Sequence, residues 1–219
     1  MGSNVSATRT HQPVFIRRNS MIHSALNWYD GVIEKFKKFD FIVLLAIRLF
    51  LVPVIFVGAH SKVVGFAGTV AWFGASTADG GLNLPFPELL AFLAAATEVL
   101  GCICIALGLF TRIMAIPMIL MMSVASAMVH WKHGWDAIAT SSMEATVRLN
   151  GFIEWLAVNF PGRYNYITEL GDPVMLNNGM EFAATYFVML MVLFIYGGGR
   201  YVSLDYWLKK PFTRTPQTA

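Results

Sequence analysis

Residues 87–110 read PELLAFLAAATEVLGCICIALGLF, an apolar run with Glu98 near its middle. Thr111-Arg112 follows, then a second apolar run from Ile113 to Val129, closed by His130-Trp131-Lys132-His133. A helix rises about 1.5 Å per residue and needs roughly 20 apolar residues to cross a ~30 Å hydrocarbon core. Both runs reach roughly that length, and the short basic turn between them makes a membrane hairpin. A carboxylate at the depth of Glu98 is costly, and such groups face a bundle interior or an ion or proton path.

The rest of the chain agrees with a membrane solvent. Of its residues 56% are hydrophobic and 13% charged, too few charges for an ordinary soluble domain. No phosphate-binding glycine loop, zinc-ribbon spacing or basic block with interleaved aromatics occurs, so nucleic acid is not a partner to expect. Cys102 and Cys104 point about 200° apart on a helix and cannot pair with each other. They read as small packing residues.

Working outward gives an all-α polytopic membrane protein. Residues 1–40 form an N-terminal segment in which Ile22, Leu26, Tyr29, Ile33 and Phe36 recur at helical spacing. That pattern predicts an amphipathic helix on the membrane surface. Residues 41–59 are the first span and carry Arg48; residues 88–110 and 113–130 are the second and third. A long loop over 134–178 leads to the fourth, 179–196, and a basic tail occupies 209–219. Arg9, Arg17, Arg18, Lys35, Lys37 and Lys38 precede the first span, Arg112 sits in the second turn, and Arg200, Lys209, Lys210 and Arg214 follow the last. The positive-inside rule then places both termini in the cytoplasm and the 134–178 loop outside. Four spans with short turns predict an up-down bundle.

Two polar groupings stand out. Arg48 and Glu98 come to similar depths if each span starts at its membrane edge, so a direct or water-bridged pair is expected. That pair would either lock the bundle's register or line a pocket for a quinone head group, a proton or a small polar ligand. At the outer rim, Lys62, His130, Asn178 and Glu181 gather as candidate ligand or substrate contacts. His130 and His133, at i and i+3, are candidate metal ligands for copper or zinc, or simply interfacial anchors. Met114, Met118 and Met121 share one face of the third span, as a soft-metal track or as core filler.

These residues carry a resemblance. Arg48-Leu-Phe-Leu51, Gly58-Ala-His-Ser-Lys62, Gly68-Thr-Val-Ala-Trp-Phe-Gly74, Leu84-Pro-Phe-Pro87, Thr97-Glu-Val-Leu-Gly101, Gly108-Leu-Phe-Thr-Arg112 and His130-Trp-Lys-His-Gly134 resemble the DoxX family of four-span membrane proteins. The likeness extends over residues 41–208. It implies that the family's Arg, Lys and Glu fall on Arg48, Lys62 and Glu98, and its His on His130. Leu176-Asn-Asn-Gly-Met-Glu-Phe-Ala-Ala-Thr-Tyr-Phe187 and Gly197-Gly-Gly-Arg-Tyr-Val-Ser-Leu-Asp-Tyr-Trp207 are similar to the branch found with maturation systems for copper-binding modified peptides. The resemblance implies an accessory protein for making or exporting such a peptide, or for copper and redox-stress handling. Its partners would be the bilayer, the peptide or its maturation enzymes. A membrane subunit of a quinone-linked oxidoreductase and a scaffold without a ligand are the alternatives, so whether the chain is an enzyme stays open.

Overall fold

In a computed structural model the described residues are 14–211; Arg9, Arg214 and most of the predicted basic tail lie outside them. Among the described residues the regular structure is helical, apart from one isolated bridge between Ile138 and Leu176. Helix α1 spans Val14–Lys37, α2 Asp40–Val64, α3 Phe66–Gly74, α4 Pro87–Leu107 and α5 Thr111–Ala125. After α5 the chain makes a π turn over Ser126–His130 and a 3-10 turn over Trp131–His133. Then come α6 (Glu144–Asn159), α7 (Pro161–Thr168), α8 (Glu181–Tyr196) and α9 (Leu204–Lys209).

Each long apolar helix buries a single narrow stripe. In α2 this is Leu44, Arg48, Leu51, Ile55 and Ala59; in α4 it is Ala91, Ala95, Glu98, Gly101 and Ile105. The spacing of three and four keeps these positions on one face. Leu44, Leu51, Ile55, Ile105, Met118, Leu190 and Leu193 form the common core. Where small residues stand in the stripes the helices approach closely, as membrane helices do without a hydrophobic drive between them. Met118 fills the space over Gly101, where any side chain at 101 would collide with its sulfur. So the methionine on the buried face of α5 is packing material.

α2 packs most closely on α4, and α5 on α8, with the tight α4–α5 turn joining the two pairs. Neighbours run antiparallel. The start of α2, the end of α4, the start of α5 and the end of α8 therefore share one face, here called terminal. The end of α2 and the starts of α4 and α8 share the other, here called distal.

α2, α4 and the Thr111–His133 stretch are long and apolar enough to cross a membrane. α8 is apolar but has 16 residues, about 24 Å, short of the ~30 Å core. Its ends explain why a fourth full-length span is not seen. Residues 177–181 are pinned by backbone hydrogen bonds to residues 134–137, with Asn178 left-handed at φ +61°, so the helix cannot start before Glu181. Gly197, at φ +80°, ends it. α2, in contrast, runs five residues past the expected Ala59, because nothing in His60-Ser-Lys-Val-Val64 breaks a helix before Gly65.

Candidate functional site

Glu98 stands in the buried stripe of α4, among small residues, and points at α2. Gly58 makes room for it: a Cβ at 58 would lie 3.1 Å from Glu98 Oε1. One turn further along α2, Lys62 reaches back, and its Nζ donates to both carboxylate oxygens at 2.8 Å. The Glu98 side chain is 7% exposed and that of Lys62 24%. Lys62 was expected at the rim; the structure turns it inward and makes it the counter-ion of Glu98.

Arg48, the expected partner of Glu98, is occupied elsewhere. Its Nε donates to Ile105 O at 2.7 Å and Nη2 to Ala106 O at 2.7 Å. Nη1 donates to Gly198 O at 2.8 Å and Val202 O at 2.9 Å. Ile105 lies seven residues beyond Glu98, about 10 Å further along α4. The two residues therefore form neither a pair nor a common pocket. The expectation failed because it assumed helices of equal span. α2 overruns its expected end, so Glu98 is level with Gly58, near the distal end of α2, and Arg48 is level with Gly108 at the terminal end.

Arg48 is instead a clasp. The last carbonyls of a helix lack intrahelical donors and carry the negative end of its dipole, which suits a cation. The guanidinium fork ties the end of α4 to the segment after α8. Gly108, at φ +64°, lets the chain turn beside it; a Cβ there would sit 2.8 Å from Arg48 Cζ. The same segment caps α5: Asp205 Oδ1 accepts from Phe110 N at 2.7 Å and Oδ2 from Thr111 N at 2.9 Å. Arg200 closes the corner between α1 and α2, donating to Lys37 O at 3.0 Å and Asp40 Oδ1 at 2.9 Å. The hydrogen bond and attraction of Asp40 hold the Arg200 guanidinium above the ordinary arginine range. So the motif at 197–207 is architectural.

The distal rim is assembled from two loop segments laid side by side. His130 Nδ1 lies 2.8 Å from Asn178 O. A carbonyl only accepts, so Nδ1 carries the proton and Nε2 is the free nitrogen. Asn177 Nδ2 donates to His133 O and Asp136 O, both at 2.7 Å, and Glu181 Oε2 accepts from Ala137 N at 3.1 Å. His130, Asn178 and Glu181 thus come to one rim, but as parts of its scaffold. The metal reading of His130 and His133 gains no third ligand: among the described residues no group of three His, Cys, Asp or Glu side chains is placed to hold a metal ion. Two open hollows, one over Glu144, Arg148 and Met175 and one over Asn159 to Tyr166, lie on the α6–α7 arm and away from the Lys62–Glu98 pair. Cys102 and Cys104 are free thiols.

Residues 43–131 match the family model DoxX, from the start of α2 to just past His130. Inner membrane protein YphA of Escherichia coli (strain K12) is 29% identical over 134 residues, which cover 57% of this chain and 91% of YphA. No solved structure matches the chain. The matched region holds Arg48, Lys62 and Glu98 and stops short of α8 and the Asp205 cap. With three helices fit to cross a bilayer and an inner-membrane relative, the chain is a multi-pass inner-membrane protein whose residues 43–131 are similar to the DoxX family.

Proposed function

We propose that the chain is an accessory protein that supports the maturation or export of a copper-binding modified peptide, with Lys62–Glu98 as its working centre. The observation that carries the reading is the pair itself. Arg48 and Asp205 already satisfy the helix ends and tie the four apolar helices together. The Lys62–Glu98 pair answers no backbone need, and an apolar pair of similar volume would serve packing as well or better. Ionisable groups kept at membrane depth under those conditions mark a polar path or binding point. His130, Asn178 and Glu181 at the distal rim would then meet the peptide or its maturation enzymes. The peptide assignment rests on the resemblance of residues 176–187 and 197–207 to the copper-peptide branch.

In this reading all four apolar helices cross the membrane, α8 with help from its flanking loops. Both termini are cytoplasmic, as the basic residues on the terminal face favour. Residues 41–208 act as one membrane unit.

The test compares Glu98→Gln, Lys62→Met and His130→Ala with the wild type in the producing strain, at matched membrane levels. Copper tolerance and the yield of mature peptide should fall for Glu98→Gln. Unchanged yield at matched levels refutes the reading. Metal and lipid analysis of the purified protein separates the alternatives: bound quinone without metal would favour a redox subunit, and copper lost in His130→Ala would favour a rim metal site.

A further inference from the structure

Among the described residues, α1 has a face left uncovered along most of its length. From Ile22 to Lys37 only Val32 and Ile33 are even half-buried. At about 100° per residue, Ile22, Ala25, Leu26, Tyr29, Val32, Ile33 and Phe36 fall within roughly a third of the circumference. Trp28 stands at the border of this stripe, and His23, Asn27, Asp30, Glu34, Lys35, Lys37 and Lys38 take the remainder. Two covers suit such a stripe, a second copy of the helix or a lipid surface. A coiled-coil seam uses two positions per heptad. Here Ala25 and Val32 widen it to three, the shape of a helix lying on a surface.

Continuity decides for lipid. α1 ends at Lys37 and α2 starts at Asp40, so only Lys38 and Phe39 separate the striped helix from a membrane span. Arg200 fastens both ends of that corner, Lys37 O and Asp40 Oδ1, to the segment after α8. Lys35, Lys37 and Lys38 crowd the same end, and Arg112 and Arg200 belong to the same terminal face. The site proposed above involves none of these residues.

We propose that α1 is an interfacial helix that binds anionic lipid headgroups, its Ile22–Phe36 stripe in the headgroup–acyl boundary and its corner clamped to the bundle by Arg200. The full chain, with Cys102→Ala and Cys104→Ala, would be placed in nanodiscs of phosphatidylcholine alone or mixed with phosphatidylglycerol. A fluorophore on Tyr29→Cys reports the stripe, and one on Asn27→Cys the polar face. The position-29 label should be several-fold less quenched by aqueous iodide than the position-27 label, and quenched instead by nitroxide lipids. Phosphatidylglycerol should deepen that difference, about 0.5 M salt should cancel the gain, and each lysine replaced by Gln should raise the phosphatidylglycerol fraction needed for half the gain, by up to roughly fivefold. Equal iodide quenching at both positions overturns the proposal. So does protection at 29 that comes with self-quenching between copies, which would put a second chain on the stripe. Protection equal in both lipids overturns the anionic preference.

Discussion

Lys62→Met and Glu98→Gln remove the same ion pair from opposite sides, and the structure gives them unequal costs. Removing Lys62 leaves a carboxylate whose side chain is 7% exposed, lodged against Gly58 with no other cation in contact among the described residues. Stranding a buried charge in this way costs about 3–5 kcal/mol. Removing the Glu98 charge leaves an ammonium on a four-carbon stem, 24% exposed and near the distal end of α2. That lysine can swing its head toward the rim, as long basic side chains do at membrane edges, so the cost should be about 1 kcal/mol. For a chain of this length the difference corresponds to a gap of about 5–15 °C between the unfolding midpoints of the two variants. The double variant should be no less stable than Lys62→Met alone, because the stranded charge is gone. Thermal unfolding of the four proteins in one nanodisc preparation measures all three differences. Equal single-variant losses that add in the double variant would refute the argument, since they would show two residues acting independently.

Other residues of the framework make further predictions. Arg48→Met should cost upward of ~4 kcal/mol, because four carbonyls lose a charged donor at once; gel filtration of the detergent extract would show aggregation in place of a folded peak. Gly108→Ala forces a Cβ into 2.8 Å of Arg48 Cζ at a left-handed position, and its midpoint should fall by several degrees, whereas Gly80→Ala, left-handed but open, should lose less. Asp205→Asn keeps one acceptor and loses the charge at the start of α5, so about 1–2 kcal/mol should go, read as faster amide exchange at Phe110 and Thr111.

The four apolar helices were legible because their signal is local: an apolar run of given length needs no knowledge of the rest of the chain, although the ends set by Gly65 and Gly108 differ from the expected residues 59 and 110. The partners of the charges were not local. Glu98 was paired with Arg48 by counting residues from expected membrane edges; it lies level with Gly58 instead, and the five extra helical residues at the end of α2 account for about 7 Å of that displacement. Lys62 was expected as a ligand or substrate contact at the outer rim, and its inward turn depends on the gap at Gly58, which only helix packing reveals. The acceptors of Arg48 are backbone carbonyls, to which sequence gives no clue. Asp205 caps a helix that begins 94 residues before it; the available signal was an acid two residues after Ser203 in a glycine-rich turn, too common to assign.

Arg48, buried, and Lys62, partly open, lie about four turns apart on one side of α2, and their chemistry divides their roles. A guanidinium offers five donors in a flat fork, suited to several fixed carbonyls at once. Arg48 uses it that way, with four of its five donors on backbone carbonyls and the side chain buried in the bundle. An ammonium is a compact charge on a flexible stem, able to leave one carboxylate for another anion or for water. Lys62 holds a single partner, is partly open, and sits at the end of the bundle where His130 and Glu181 are gathered. Exchange with a substrate is therefore possible at Lys62–Glu98 and closed at Arg48, although both cations lie in the same apolar stripe.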